Sequence, residues 1–274
     1  MSHDEDLLAR IATALERIAP SAPAAINWLS APAYVWDGRV RPVSAISAPP
    51  LVLLKGIDAQ KAAVADNVAR LSSGHAAHDM LLWGARGMGK SALLRAAVVA
   101  AQEATPERIG LVQVAPEALA SLTALFAALS GISRQFLVFI DDLGFEDGDS
   151  TGPRALRSWL EGGVEARPGN VRLAVTSNRR AIVPRHLSEQ DDPINPRDAV
   201  DDRLALADRF GLSVGFHNCS QDDYLAIVAG YCDAHGLTSD QAAALEWAKR
   251  RGARSGRVAW QFVTEVAGRA GRQL

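Results

Sequence analysis

The chain has 274 residues and a mass of 29.1 kDa, which is enough to bury a large core in one or two domains. Hydrophobic residues make up 48% and charged residues 22% of the chain, as in ordinary soluble globular proteins. The formal net charge of -2 and the pI of about 6.3 exclude a global positive field that would draw the protein to nucleic acid or to an anionic membrane. They do not exclude a local basic patch.

The cysteines and the most apolar segments indicate in which cellular compartment the protein is expected. Cys219 and Cys232 lie in helix-like or strand-like surroundings, and the N-terminus lacks the basic and then apolar layout of a signal peptide. We therefore expect two buried thiols in a cytoplasmic protein. The most apolar segments, such as residues 92–101, are too short and too interrupted to span a bilayer, so we expect no integral membrane segment.

Residues 1–50 form the first predicted unit. Apolar residues recur at helical spacing over residues 4–19, which predicts one amphipathic helix that packs on its own domain or, less favoured, on another subunit. Residues 21–50 are rich in Pro and Ala, which predicts an irregular arm over the surface with a turn at Asp37 and Gly38. Its aromatic residues are interpreted as apolar anchors in preference to a platform for stacking single-stranded nucleic acid.

The stretch from Met80 to Ala101 carries the strongest functional motif. An apolar strand over 80–83 breaks into G-x-x-x-x-G-K-S, and an alanine-rich and leucine-rich helix follows. Glycines in such a loop let backbone N–H groups approach a triphosphate, Lys90 reaches the β and γ phosphates, and Ser91 offers a hydroxyl to Mg²⁺. The predicted nucleotide-binding residues are Ile57, Gly84, Ala85, Arg86, Gly87, Met88, Gly89, Lys90, Ser91 and Ala92, with Ile57 at the start of a helix that would wall the adenine.

Two further predicted strands end in polar side chains. The apolar run 136–140 is followed by Asp141 and Asp142, and acids at the carboxyl end of a buried parallel strand face the ligand crevice. Asp141 is then expected to hold Mg²⁺, and Asp142 to polarise the attacking water. The strand over 171–176 leads to Asn178, whose amide either orients this water or caps a turn.

The remaining elements complete an α/β domain and a helical one. Strands over 109–114 and 212–216 bring the predicted parallel sheet to five strands, and helices are predicted over 117–129, 154–166 and 201–208. A long loop covers 181–198. Three helices over 221–234, 239–250 and 256–268 follow, and their arginines and one lysine form a basic bias that suits nucleotide phosphate or DNA.

The motifs together resemble a known class of protein. GARGMGKS, FLVFIDD, TSN, DRFG and GARSGRVAWQF occur in the order found in an AAA+ ATPase, and an all-helical segment ends the chain. More narrowly, DDLGFEDGD, LEGGVEARPGNV, AVTSNRR, LADRFGL and WAKRRGARSGRVAWQF resemble the bacterial family of ATP-binding proteins called domain of unknown function 815. The resemblance implies a P-loop NTPase core over residues 51–218 and a small helical lid over 219–274.

The resemblance also implies roles for single residues. Gly84 to Ser91 match the Walker A motif, Asp141 and Asp142 the Walker B motif, and Asn178 falls at sensor one. Arg209 matches the arginine finger offered in trans to a neighbour, and Arg257 the sensor-two arginine that acts in cis. ATP and Mg²⁺ are the implied ligands, and the implied assembly is a homo-oligomer such as a hexameric ring. Many AAA+ proteins end the Walker B motif in Asp-Glu, whereas this chain has Asp-Asp, as replication-initiator relatives do.

Two functions fit these predictions. The first is an ATPase that hydrolyses ATP at a subunit interface and remodels a protein or nucleic-acid partner. The second is an ATP-dependent DNA-binding adaptor, similar to a helicase loader, with little turnover. A small-molecule kinase ranks last, because its lid would be inserted within the sheet, whereas here the helical segment follows it.

Overall fold

The computed structural model describes residue 7, residues 10–11, 26–144, residue 156, residues 159–160, 167–178 and 208–274. The helices predicted over 4–19, 154–166 and 201–208 lie wholly or mostly outside the described residues. The predicted loop over 181–198 lies outside them altogether.

A mixed sheet forms the centre of the described chain. Its strands are β1 (Ala33–Trp36), β2 (Val40–Val43), β3 (Met80–Gly84), β4 (Ile109–Val114), β5 (Gln135–Ile140), β6 (Val171–Ser177) and β7 (Leu212–Phe216). Within the described residues the sheet has seven strands in the order β2-β1-β4-β5-β6-β3-β7. Only β1 and β2 pair antiparallel; the other neighbours are parallel. The five predicted strands are confirmed as β3 to β7, but the predicted count of five, all parallel, is wrong.

The two additional strands lie within the segment predicted as an irregular arm. Each has four residues, too few to show alternation clearly against a Pro-rich and Ala-rich background. Pro42 lies in β2, which is an edge strand of the sheet. Edge strands tolerate proline, because one side of the strand has no neighbour to which an N–H would donate. Tyr34 is 1% exposed, and Trp36 donates from Nε1 to the Ser121 hydroxyl at 2.8 Å. These aromatic residues are therefore part of the core, as their interpretation as apolar anchors predicts.

Helices cover both faces of the sheet. In the α/β part they are α1 (Asp58–Ser72), α2 (Lys90–Ala104) and α3 (Leu122–Leu129). Because strand side chains alternate, Met80 and Leu82 pack with α1 and α2, whereas Leu81 joins α3 and the aromatic residues of the N-terminal segment. Burial on both faces explains why β3 to β6 are nearly continuous apolar runs.

Three further helices form the predicted C-terminal helical unit, α4 (Gln221–Ala234), α5 (Gln241–Arg251) and α6 (Gly256–Arg269). Ser220, Asp240 and Ser255 cap their N-termini, each side chain accepting a backbone N–H three residues later. The apolar core of this lid is continuous with Leu54 and Ile57, beside the start of α1. Among the described residues, no helix combines the length and apolar character needed to cross a bilayer.

Both cysteines belong to the lid region, and both are free and buried, as predicted. Burial raises the pKa of the Cys219 thiol to about 11, and the nearby Asp223 carboxylate acts in the same direction. Burial also raises the pKa of Cys232. Thiols with raised pKa values carry little thiolate at neutral pH, so neither is suited to nucleophilic chemistry.

Candidate nucleotide-binding site

A cavity of about 790 Å³ opens at the carboxyl ends of the parallel strands. Its walls come from three parts of the chain: the phosphate loop with the start of α2, the ends of β5 and β6, and the lid helices α4 and α6. The strand order changes direction beside β3, and ligands of α/β proteins bind at such a point. The cavity is therefore the candidate site.

Lys90 is the first residue of α2, where the phosphate loop ends, and it is only 7% exposed. Its ammonium donates to the carbonyl oxygens of Gly84 at 2.8 Å and Ala85 at 2.9 Å, and to Oδ1 of Asn178 at 3.2 Å. Burial lowers the pKa of Lys90, whereas the carboxylates of Asp142 and Asp141 oppose this shift. The loop thus holds an ordered cation at the helix N-terminus, where an anion is favoured.

The backbone of the loop requires glycine at two points. Gly84 has φ +123°, and a Cβ atom built there would lie 2.0 Å from the carbonyl oxygen of Phe216. Gly87 has φ +75°, and its Cβ would lie 2.9 Å from Oγ of Ser255 in the lid. A side chain at either position would push the loop away from β7 or from the lid, so these glycines set the shape of the cradle.

A cluster of oxygen atoms lies beside the loop. Oδ1 of Asp141 accepts hydrogen bonds from the hydroxyls of Ser91 and Thr176, both at 2.6 Å. The Thr176 hydroxyl also accepts the backbone N–H of Asp142 at 2.8 Å, which fixes the turn after β5. Carboxylate and hydroxyl oxygens are the donors that Mg²⁺ prefers, so Ser91 and Asp141 fit the metal predicted for them. Thr176 was not among the predicted site residues. Its hydroxyl near the end of β6, the strand beside β5 with its two following aspartates, is a pattern that could have identified it.

Asp142 and Asn178 form a second pair at the cavity mouth. Asp142 has φ +51°, a left-handed conformation that Asp and Asn tolerate better than most residues. Nδ2 of Asn178 donates to Oδ1 of Asp142, while Oδ1 of the same amide accepts from Lys90. Asn178 therefore connects the ammonium of Lys90 to the carboxylate of Asp142.

The C-terminal helices also line the cavity. The backbone N–H of Arg257 donates to the Gly87 carbonyl at 3.2 Å, which ties the start of α6 to the phosphate loop. Tyr231 and Trp260 line the same cavity, with ring centroids 5.0 Å apart. Together with Leu54 and Ile57 they provide the apolar surface of the cavity, which the ionised groups complete.

The predicted site residues converge, with three exceptions. Those that line the cavity are Ile57, Arg86, Gly87, Met88, Gly89, Lys90, Ser91, Ala92, Asp141, Asp142, Asn178 and Arg257. Gly84 and Ala85 do not line it but supply the carbonyls that hold Lys90. The lining residues that were not predicted include Lys55, Arg95, Thr176, Tyr231 and Trp260.

Arg209 is the third exception, because it does not line the cavity of its own chain. It precedes β7, whose first residue Leu212 pairs with Met80, the first residue of β3. Arg209 thus lies at the amino edge of the sheet, and the phosphate loop follows the carboxyl end of β3. Arg209 and the phosphate loop of the same chain are therefore separated by about the length of a five-residue strand, roughly 15 Å.

The comparisons with solved structures agree with this architecture. A single-residue variant of Thermotoga maritima RuvB matches 80% of this chain and 65% of its own chain at 18% identity, with a TM-score of 0.52. The Aeropyrum pernix ORC1 protein in complex with DNA matches 81% of this chain and 65% of its own at 16% identity, with a TM-score of 0.54. This chain therefore spans less than two thirds of either structure, and at these identities the likeness concerns the fold alone.

The fold, the phosphate loop and the C-terminal helices are together those of a P-loop protein with the AAA+ fold. Residues 29–270 match the model of the family described as "Protein of unknown function (DUF815)", and the chain belongs to this family. The resemblance drawn from the motifs is thereby confirmed. A search of curated proteins found no match.

Proposed function

We propose that this protein binds ATP with Mg²⁺ in the cavity, hydrolyses it at an interface between two copies of the chain, and uses the cycle to remodel a protein or nucleic-acid partner. The observation that carries the proposal is the convergence of Lys90, Asn178 and Asp142 in one hydrogen-bonded chain at the cavity mouth. A cation for the phosphates and a carboxylate for water stand next to each other there.

The groups divide the work of phosphoryl transfer among them. Lys90 and the backbone of the loop bind the β and γ phosphates, and the apolar lining residues Leu54, Ile57 and Tyr231 contact the base. Ser91 and Asp141 hold Mg²⁺, which when bound neutralises part of the phosphate charge. Asp142, oriented by Asn178, accepts a proton from the water whose oxygen bonds to the γ phosphorus. The bond from that phosphorus to the bridging oxygen breaks, and ADP departs with the electron pair.

Nucleotide binding is tested with Lys90→Ala. We expect ATP affinity to fall at least about 30-fold, because a buried charged donor to the phosphates is lost. Isothermal titration with MgATP measures it, and Lys249→Ala, an exposed lysine on α5, is the matched control. If Lys90→Ala bound ATP as tightly as the unchanged protein, the cavity would not be the ATP site.

The position of Arg209 supports the proposed action across an interface. Its distance from the phosphate loop of its own chain supports a role for it at the site of a neighbour, in a homo-oligomer such as a hexameric ring. A monomer would then lack one of the cations that stabilise the γ phosphate during transfer.

A mixing experiment tests this arrangement. Arg209→Ala and Asp142→Asn are each expected to be nearly inactive, but an equal mixture should recover up to about a quarter of the ATPase rate, since some interfaces unite intact partners. The rate of the unchanged protein should also rise faster than linearly with protein concentration. Mixtures without activity would contradict action in trans.

A DNA-binding adaptor remains the second candidate, and one observation favours it. Lys249, Arg250, Arg251 and Arg254 are all exposed at the end of α5 and the following turn. Only Arg250 faces a carboxylate among the described residues, Glu246 at 3.9 Å. Slow hydrolysis at every concentration, together with ATP-dependent DNA binding that weakens steeply with salt, would support this function over the first.

A further inference from the structure

Arg86 stands in the middle of the phosphate loop, a position that the motif leaves open to any residue. It is exposed, and it is one of the residues that line the nucleotide cavity. It lies between Gly84 and Gly87, whose positive φ angles of 123° and 75° define the loop on both sides. The backbone that carries this arginine is therefore set by the same glycines that shape the cradle.

Three cations meet at this wall of the cavity, namely Arg86, Lys90 and Arg257. Both guanidinium groups are close enough to Lys90 to act with burial in lowering its pKa. Within the part of the chain that the structure describes, neither Arg86 nor Arg257 forms an ion pair with a carboxylate. Like charges repel at short range, so an anion between them removes a cost as well as adding an attraction.

The loop and the lid also meet here. The backbone N–H of Arg257 donates to the carbonyl of Gly87, the residue that follows Arg86, and Cβ of Arg257 would lie 3.3 Å from a Cβ at Gly87. Arg86 is thus on the loop side of this hydrogen bond and Arg257 on the helix side, and both line the cavity. The Asp142 and Asn178 pair, which adjoins Lys90, marks the end of the cavity where the terminal phosphate would react.

We propose that Arg86 contacts the terminal phosphate of ATP in cis, so that the phosphate loop itself distinguishes a nucleoside triphosphate from a diphosphate. A guanidinium offers parallel N–H donors to two phosphate oxygens, which a single ammonium does not. The inference rests on the proposed function, because it concerns the same nucleotide in the same cavity. It goes beyond the predicted place of Arg86 in the nucleotide-binding loop, because it gives the side chain a specific contact, whereas the motif leaves this position open to any residue.

The test compares ATP with ADP in the presence of Mg²⁺, by titration calorimetry on the full chain. For Arg86→Ala we expect ATP affinity to fall about 10-fold to 30-fold and ADP affinity to change by less than about threefold. Arg86→Lys keeps the charge but loses the paired donors, so it should recover only part of the ATP affinity. Arg108→Ala removes an equal charge from an exposed position just before β4 and should change neither affinity.

Each outcome decides the matter. Equal losses for ATP and ADP, or no loss for either, would overturn the contact with the terminal phosphate while leaving the proposed ATP site in place. An unchanged protein that bound neither nucleotide would overturn the proposed function, and this inference with it. Melting curves for Arg86→Ala, expected to match those of the unchanged protein because Arg86 is exposed, verify that an affinity change reflects the site.

Discussion

Replacing Asp142 with asparagine is expected to lower the rate of ATP turnover at least about 100-fold while leaving ATP affinity within about threefold, because a general base contributes to the transition state more than to binding. The substitution suits the local backbone. Asn tolerates the left-handed φ of +51° at position 142 as well as Asp does. Its amide oxygen also remains available to accept from Nδ2 of Asn178. The variant therefore removes a charge and a proton acceptor with little change in shape.

Steady-state release of phosphate and MgATP titration, measured on the same preparation, separate the two effects. Asp66→Asn is the matched control, since Asp66 is 69% exposed and its pairing with Arg70 at 3.2 Å is a surface ion pair worth little. A full turnover rate in Asp142→Asn would remove Asp142 from the mechanism. A large loss of ATP affinity would instead indicate that Asp142 acts through the charge of Lys90, whose pKa it raises.

The local chemistry of the site could be predicted from the sequence because it depends on short, contiguous stretches. A strand, a glycine-rich loop and a helix follow each other between Met80 and Ala101, so the phosphate cradle needs no long-range information. The acids after β5 and the amide after β6 are brought to one edge simply because parallel strands end together. The proximity of Lys90, Asp142 and Asn178 could therefore be predicted from the strand ends alone, without knowledge of side-chain contacts.

The parts that were missed depend on contacts between distant segments. Tyr231 and Trp260 reach the cavity only because the lid packs against Leu54 and Ile57, which no local pattern encodes. The strands β1 and β2 are stabilised by the neighbouring β4 and by a buried arginine far along the chain, not by their own composition. Short strands in such sequences owe their conformation to tertiary pairing more than to propensity.

The C-terminal helices contact the phosphate loop at one glycine. The start of α6 is joined to Gly87 by a single backbone hydrogen bond, and the cap residue Ser255 lies against the same glycine. On the proposed function, a phosphate that draws Arg257 inward would move α6, which packs against α4 and α5 as one apolar unit. Since the exposed cations of α5 belong to this unit, the nucleotide state would then be linked to the proposed partner through the movement of these helices.

Replacing Arg134 with methionine is expected to lower the free energy of unfolding by roughly 3–5 kcal/mol, about 10 °C in melting temperature. Arg134 is 3% exposed, and it donates to the carbonyl oxygens of Trp28 at 2.9 Å, Ala31 at 2.7 Å and Ile109 at 2.7 Å. In the native protein, burial of the charged guanidinium is costly and lowers its pKa. The substitution removes this desolvation cost. The loss of donors costs more, because methionine donates to none of these carbonyls. Those of Trp28 and Ala31 lose their donor, and that of Ile109 keeps the side-chain amide of Gln102 at 3.0 Å.

The loss should be concentrated where Arg134 joins the N-terminal segment to the sheet. Urea unfolding measures the total effect, and hydrogen exchange should show lost protection in β1 and β2 before the core strands β5 and β6 open. Arg134→Lys keeps the charge but has no planar fork, so it should recover only part of the stability. Arg41→Met, the same change at an exposed position in β2, should alter the stability by less than about 0.5 kcal/mol. If Arg134→Met were as stable as Arg41→Met, the buried guanidinium would not be what holds β1 and β2 on the sheet.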